Sequence, residues 1–279
     1  VTTGQQDSFF VAEDLYGTDC YFTRNTGLAL ITADNRYFIV NLREKKITAS
    51  GELETYINGA ILSEDGETMY ADVKEKGICL VDVANGSAKN IDLEGYRMCY
   101  SIDQANSMAV SEDGALFAVN CMDHMLRILD VEHMTTVAEV PFSGSLRCFL
   151  QFSENGDKLF MQGSDYYLRV YSLQDKEFVY IASNQNNEIE SIIFDEEAGT
   201  VCVNTQSEMM LLNKEDYDII AVIENGLAYL PSYSRIYCKY NSNLYQFPYM
   251  TLEMLLEEAG KQFGNDALST QERMQYNID

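Results

Sequence analysis

Three segments of this chain align without a gap, and that repeat constrains the fold more than any other feature. Each opens on a turn, Ser63-Glu64-Asp65-Gly66, Ser111-Glu112-Asp113-Gly114 and Ser153-Glu154-Asn155-Gly156. Each closes 19 residues after its serine, at Asp82, Asp130 and Ser172. Two looser copies run from Thr23 to Asn41 and from Asp195 to Asn213, and a degenerate sixth runs from Pro231 to about Phe247. Turn starts therefore fall at 23, 63, 111, 153, 195 and 231. Self-similarity at a fixed period marks a repeat architecture, in which each unit buries its apolar face against the next.

The interior of each copy gives the unit its secondary structure. A short apolar run such as Gly59-Ala60-Ile61-Leu62 precedes the turn, and a second strand such as Leu116-Phe117-Ala118-Val119 follows it. Serine and aspartate bond the local backbone there, and glycine accepts a positive φ. A polar loop then leads to a β-rich third strand, Leu168-Arg169-Val170-Tyr171, and a more polar fourth, Thr136-Val137-Ala138-Glu139-Val140. Four short strands per repeat predict an all-β β-propeller of four-stranded antiparallel blades. The blades are expected at about 20–49, 57–93, 105–141, 146–183, 188–224 and 226–250, within a propeller domain covering 1–250. Six blades are countable, and a seventh would lie partly outside this sequence. The sixth stops short of an outer strand, and residues 8–13, with Ser8-Phe9-Phe10-Val11-Ala12, are expected to supply it and close the ring. A helical tail is expected over 251–279, from the N-cap Thr251 and the apolar spacing of Leu252, Leu255, Leu256, Ala259 and Phe263.

These turns and closing residues resemble the WD-repeat family and related bacterial propellers. Ser-Glu-Asp-Gly stands where that family carries Ser-Pro-Asp-Gly, and Asp82 and Asp130 stand where its Trp-Asp pair ends the third strand. The chain departs from the family in having no tryptophan and no Gly-His dipeptide, and its closing residue drifts to Ser172 and Asn213. The tail looks like the end of many bacterial WD-repeat proteins. That likeness implies the C-terminal propeller of a larger signalling or NTPase-linked protein, with further domains upstream.

Charge and cysteine narrow the partners. With 44 acidic and 19 basic side chains, the formal charge is −25. Such a chain repels nucleic-acid phosphates and anionic membrane surfaces, which require clustered Lys and Arg. The acids are spread along the chain rather than blocked, as expected of a surface kept soluble. The seven cysteines are scattered, odd in number and without a CxxC, most within apolar runs such as Gly77-Ile78-Cys79-Leu80-Val81. They read as buried thiols in a reduced, cytoplasmic compartment. No stretch is long and apolar enough to span a bilayer. The first residue is Val1 rather than Met, which reads as a piece of a longer chain.

No motif for chemistry stands out. A four-residue carboxylate turn cannot supply the ligands calcium needs, and no phosphate loop or zinc spacing occurs. Cys121 lies three residues before His124, a conceivable nucleophile and base, but no oxyanion-hole motif accompanies them. We therefore expect no catalytic residue, metal or cofactor. The loops between second and third strands carry the better candidates, because tyrosine, methionine and arginine at a rim suit a protein-binding face. These candidates are Arg36, Lys74, Asp123, His124, Asp165, Tyr166 and Asn241, against the plainer reading of solvated loops with Tyr167 turned into the sheet. The expected role is a non-catalytic protein-interaction or sensing platform for a partner the sequence does not identify. The alternative is a lactonase- or hydrolase-type propeller enzyme, or small-ligand binder, acting through a central channel.

Overall fold

The computed structural model contains only strands, turns and loops over the residues it describes, which are 11, 18–24, 26–91, 107–121, 123–142, 148–183, 187–231, 235–240 and 243–249. The expected closing strand at 8–13 (Val11 aside), the helical tail and Asn241 lie outside these residues. No helix among them is long and apolar enough to cross a membrane.

Among the described residues, twenty-three strands form six antiparallel sheets, each a simple meander in chain order. Sheet 1 contains β1 (Thr18–Phe22), β2 (Leu28–Ala33), β3 (Arg36–Asn41) and β4 (Lys46–Glu52). Sheet 2 contains β5 (Ile57–Leu62), β6 (Thr68–Val73), β7 (Gly77–Asp82) and the short β8 (Ala88–Asn90). Sheet 3 runs β9 (Met108–Val110), β10 (Leu116–Asn120), β11 (Met125–Asp130) and β12 (Thr135–Pro141). Sheet 4 runs β13 (Phe149–Phe152), β14 (Lys158–Gln162), β15 (Tyr167–Ser172) and β16 (Glu177–Ser183). Sheet 5 comprises β17 (Ile189–Asp195), β18 (Thr200–Thr205), β19 (Glu208–Asn213) and β20 (Ile219–Glu224). Sheet 6 has three strands among the described residues, β21 (Gly226–Leu230), β22 (Arg235–Tyr240) and β23 (Asn243–Pro248). The chain divides into two units, Val1–Glu190 and Ser191–Asp279, each considered by itself below.

The repeated turn is built the same way each time. Ser63, Ser111 and Ser153 accept a hydrogen bond at Oγ from the backbone N–H five residues on, at 2.9–3.0 Å. The same hydroxyls donate to Asp65, Asp113 and, in the third copy, Asn155 and Asp157. In sheet 1, Thr23 takes the serine's part and accepts from Leu28 N at 3.0 Å. Gly66 turns at φ +77°, and a Cβ there would meet Leu28 Cδ1 at 2.6 Å. The drifting closing residue also keeps its job, since Asn41, Asp82, Asp130, Ser172 and Asn213 each accept a nearby loop N–H. Any short acceptor serves at that position, so the family's aspartate is replaceable.

Within the first unit the inner strands are buried on both faces while the fourth strands are exposed, as in β5 against β4. The two-residue period of a strand explains this. Ala60 and Leu62 pack toward sheet 1 with Leu30, Ile39 and Val81, whereas Ile61 points the other way, to Phe117 and Val119 of sheet 3. Tyr70 and Phe117 stack at 4.8 Å in that second layer. Phe152, Leu159 and Met161 form the third layer with Ala118 and Ile128. Burying each large side chain stabilises the fold by roughly 1.5–3 kcal/mol, so the three layers dominate the unit.

The second unit repeats the pattern with a polar tie. Cys202, Met209 and Leu211 of sheet 5 pack on Tyr229, Ile236 and Cys238 of sheet 6. The buried Tyr229 hydroxyl donates to the buried carboxylate of Asp195, and its ring meets Tyr249 edge-on at 5.3 Å. Burial and the nearby carboxylate both push the Tyr229 hydroxyl pKa up. Leu244, Tyr245 and Phe247 on β23 are exposed, unlike the third strands of the other sheets.

Candidate functional site

A four-stranded meander has two ends, and the repeat gives them different chemistry. In the first unit, one end carries the serine turns and the hairpins between third and fourth strands. The other carries the hairpins between second and third strands, and the connections to the next sheet. We call these the turn end and the hairpin end.

Backbone bonds stitch the hairpin end together. Ile57 N donates to Asp34 O and Leu53 N to Asn35 O, both at 2.7 Å, which ties the first hairpin to the connection into sheet 2. Lys74 N donates to Tyr56 O, and Phe142 N to His124 O, each at 2.8 Å. In sheet 4 the buried Gln162 carboxamide donates to Asn187 O at 3.0 Å and accepts from Ile189 N at 2.8 Å. Each hairpin is thus fixed to a neighbouring segment, and the side chains on it start from a rigid base.

Of the seven sequence candidates, six are described, and all six lie at this end. Arg36 opens β3, Lys74 follows β6, Asp123 and His124 precede β11, and Asp165 and Tyr166 precede β15. His124 and Asp123 are exposed, while the other four are half-buried. Asp123 accepts a bidentate pair from Arg127, at 2.7 and 3.1 Å, and Arg127 also donates through Nε to Glu139 at 3.0 Å. Asp165 accepts the same fork from Arg169, at 2.5 and 2.9 Å. The guanidinium groups hold both carboxyls below the usual aspartate range. Both aspartates therefore brace the hairpins, and the outward groups are His124, Tyr166 and their neighbours.

Tyr56 and Tyr167, each 40% exposed, are neighbours the candidate set omitted. Tyr56 sits beside Lys74 through the backbone bond above. The Tyr167 ring faces solvent with the Arg169 guanidinium 5.4 Å from its centroid, so it is not turned into the sheet. The signal for Tyr56 was its place just before β5, where the meander must return along the same end. His124 and Tyr166 adopt left-handed φ of 64° and 59°, the conformation these short hairpins impose on one residue.

The turn end holds a second feature the sequence reading passed over. Glu64, Glu112 and Glu154 occupy the second position of three turns, and Arg24 occupies that position in the first sheet. The Arg24 backbone N–H donates to Glu64 Oε1 at 2.7 Å, and its Nη1 reaches the Phe152 carbonyl of sheet 4 at 3.0 Å. Arg24 keeps accessible surface, yet protein crowds it from several sides. That crowding lowers its pKa, and Tyr21, Glu64, Glu112 and Glu154 oppose the shift. The signal was the single Arg among glutamates at one repeat position.

Of the described cysteines, Cys20 is exposed and the others are buried. Cys121 is buried with Sγ 3.8 Å from Val119 O, and burial raises its pKa, while His124 is exposed. Burial also pushes the Cys148 thiol up to about 11 and the Cys202 thiol up to about 12. Thiols held protonated are poor nucleophiles. His133 pairs with Asp130 at 2.9 Å. Among the described residues no group of three or more His, Cys, Asp or Glu is placed to hold a metal ion.

Comparison with known proteins supports the fold and stops there. No protein-family profile matches the chain, and no curated protein matches it. Among solved structures it is similar to the Cps50 (Swd1) β-propeller domain of Myceliophteria thermophila, at a TM-score of 0.59 and 13% identity over 83% of each chain. It is also similar to a chain of the mitotic checkpoint complex, at a TM-score of 0.62 and 11% identity over 88% of this chain and 83% of that one. The chain is an all-β protein of the propeller fold.

Proposed function

We propose that this chain is a non-catalytic protein-interaction platform that presents the hairpin end of its first unit to a protein partner. The observation that carries this reading is the combination of outward aromatic and cationic groups with a fixed backbone. Tyr56, Tyr166 and Tyr167 share that end with Arg36, Lys74 and His124. The loops beneath them are held by inter-segment backbone bonds and by the two Asp–Arg forks. Preorganised loops lose little conformational entropy on binding, and aromatic and arginine anchors carry most interface energy. Two solved structures similar in fold are a β-propeller domain and part of a mitotic checkpoint complex, the second of which is an assembly. The buried cysteines, unbridged among the described residues, support a reducing compartment.

The test places a photo-crosslinking amino acid at position 164, exposed on the hairpin between β14 and β15, and separately at position 112 on the turn end, in the full chain exposed to a lysate of its source cell. A partner captured from 164 and not from 112, and lost on Tyr166→Gly, supports the platform. Equal capture from both positions, or capture that survives Tyr166→Gly and His124→Ala together, sinks it.

A further inference from the structure

The space between sheets 1 and 2 differs from the equivalent space between sheets 3 and 4, and the difference is a groove. Leu28 and Ala49 on sheet 1 match Leu116 and Ala138 on sheet 3 by repeat position. On the facing sheets the match fails. Sheet 4 has Tyr171, Leu173 and Phe178 where sheet 2 has Val81, Val83 and Ala88, at the same offsets of 18, 20 and 25 residues from the turn serine. Register agrees, since Tyr171 pairs with Phe178 and Val81 with Ala88. In sheet 4 the two rings pack edge-on at 5.5 Å and join the apolar layer with Leu116 and Ala138. In sheet 2 both rings are missing. At the turn end lies an open groove of about 800 Å³ whose apolar lining is Leu28, Ile39, Ala49, Leu80 and Val83. Ala88 lines a second opening of about 180 Å³.

The rim of this groove is acidic in the same sheet. Asp65, Glu67 and Asp82 line it, all exposed, with Lys89 as the cation among its lining residues. The matching positions in sheet 4 are Asn155, Asp157 and Ser172, which carry one carboxylate. Asp65 and Asp82 accept local N–H bonds that fix their position, and this leaves their negative charge in place. An apolar floor below three carboxylates suits a long side chain with an aliphatic stem and a cationic head.

We propose that this groove is a docking site for a basic extended segment of a partner protein, which lays a Lys or Arg stem on Leu28, Leu80 and Val83 and its charged head against Asp65, Glu67 and Asp82. A second copy of this chain is a poor occupant, because its surface is strongly acidic. The site is separate from the hairpin end and does not depend on that reading.

The experiment is fluorescence anisotropy on the full chain with a labelled Leu-Arg-Val-Lys-Leu peptide and its Leu-Glu-Val-Glu-Leu counterpart. The basic peptide is expected to bind and the acidic one not to, with affinity falling as salt rises. Ser87→Phe is expected to weaken binding about tenfold or more by filling the groove that Ser87 lines, a change of ~1.4 kcal/mol or more. Because Ser87 is exposed in the loop before β8, that variant should fold. Glu67→Gln tests the charge independently, with a loss of about threefold expected for one rim carboxylate. Equal binding of the acidic peptide, no binding at millimolar protein, or affinity unchanged in both Ser87→Phe and Glu67→Gln overturns the proposal. Loss of peptide binding on Tyr166→Gly also overturns it, by moving the peptide to the hairpin end.

Discussion

The two ends of the first unit are made by one repeat, yet they spend their polar groups differently. At the turn end the serine hydroxyl, the neighbouring carboxylate and the glycine backbone satisfy one another within each short turn. At the hairpin end the carboxylates of Asp123 and Asp165 reach across to arginines on the next strand, and histidine and tyrosine are left facing outward. A turn that closes on itself tolerates little change, because every group has a partner in the same few residues. A hairpin braced from outside can vary its tip. The lesson is that a repeat can hold its fold with one end and vary its surface with the other.

The largest effects should come from breaking a turn. Gly66→Ala forces an alanine into a left-handed backbone and against Leu28, and should cost about 2–3 kcal/mol in urea unfolding. Gly114→Ala meets nothing within 4 Å and should cost only the backbone strain, about 1–2 kcal/mol. Equal losses would mean that the Leu28 contact does not limit the turn. Ser111→Ala should lie between them at about 2 kcal/mol, since it strands the half-buried Leu116 N–H and a partner of Asp113.

Acid should come next, and it acts on both ends. Asp113, Asp123 and Asp165 all have carboxyl pKa values depressed in the folded state, through Ser111 in the first case and through arginines in the others. Their contribution is fully present above the unfolded aspartate value near pH 4 and is lost as pH falls through the lower folded values. Exposure and screening limit each to under about 1 kcal/mol. Stability measured from pH 6 down to pH 2 should therefore decline more steeply in the wild type than in Asp123→Asn with Asp165→Asn. Parallel profiles would show that the forks contribute nothing.

The smallest effect on stability should be at the hairpin tips. Tyr166→Gly and His124→Ala should change unfolding free energy by no more than about 0.5 kcal/mol, with glycine relaxing the left-handed backbone at 166. The same variants should abolish partner capture. A large stability loss there would show the tips to be structural, and the contrast between the ends would disappear.

Much of this was legible in the chain because it depends on neighbours in sequence. Ser-x-Asp-Gly with its bonds five residues on is a local object, and the strands on either side follow from short apolar runs. The hairpin candidates were legible as loop residues for the same reason. Their division of labour was not, since Asp123 acts through Arg127 and Glu139 on strands that must first pair. Tyr56 was missed because its exposure follows from where the connection returns, and Arg24 because it acts across sheets.

The sequence by itself determined the meander, the turn chemistry and the spacing of the sheets, because hydrogen bonds and strand periodicity operate over a few residues. Only the tertiary structure decided which side chains meet across sheets. Arg24 reaches a carbonyl 128 residues away, and the groove is lined by Leu28 and Ala49 of sheet 1 together with Val83 beside sheet 2. Packing between layers is a contest for volume among residues far apart in the chain, and no local rule records who wins it.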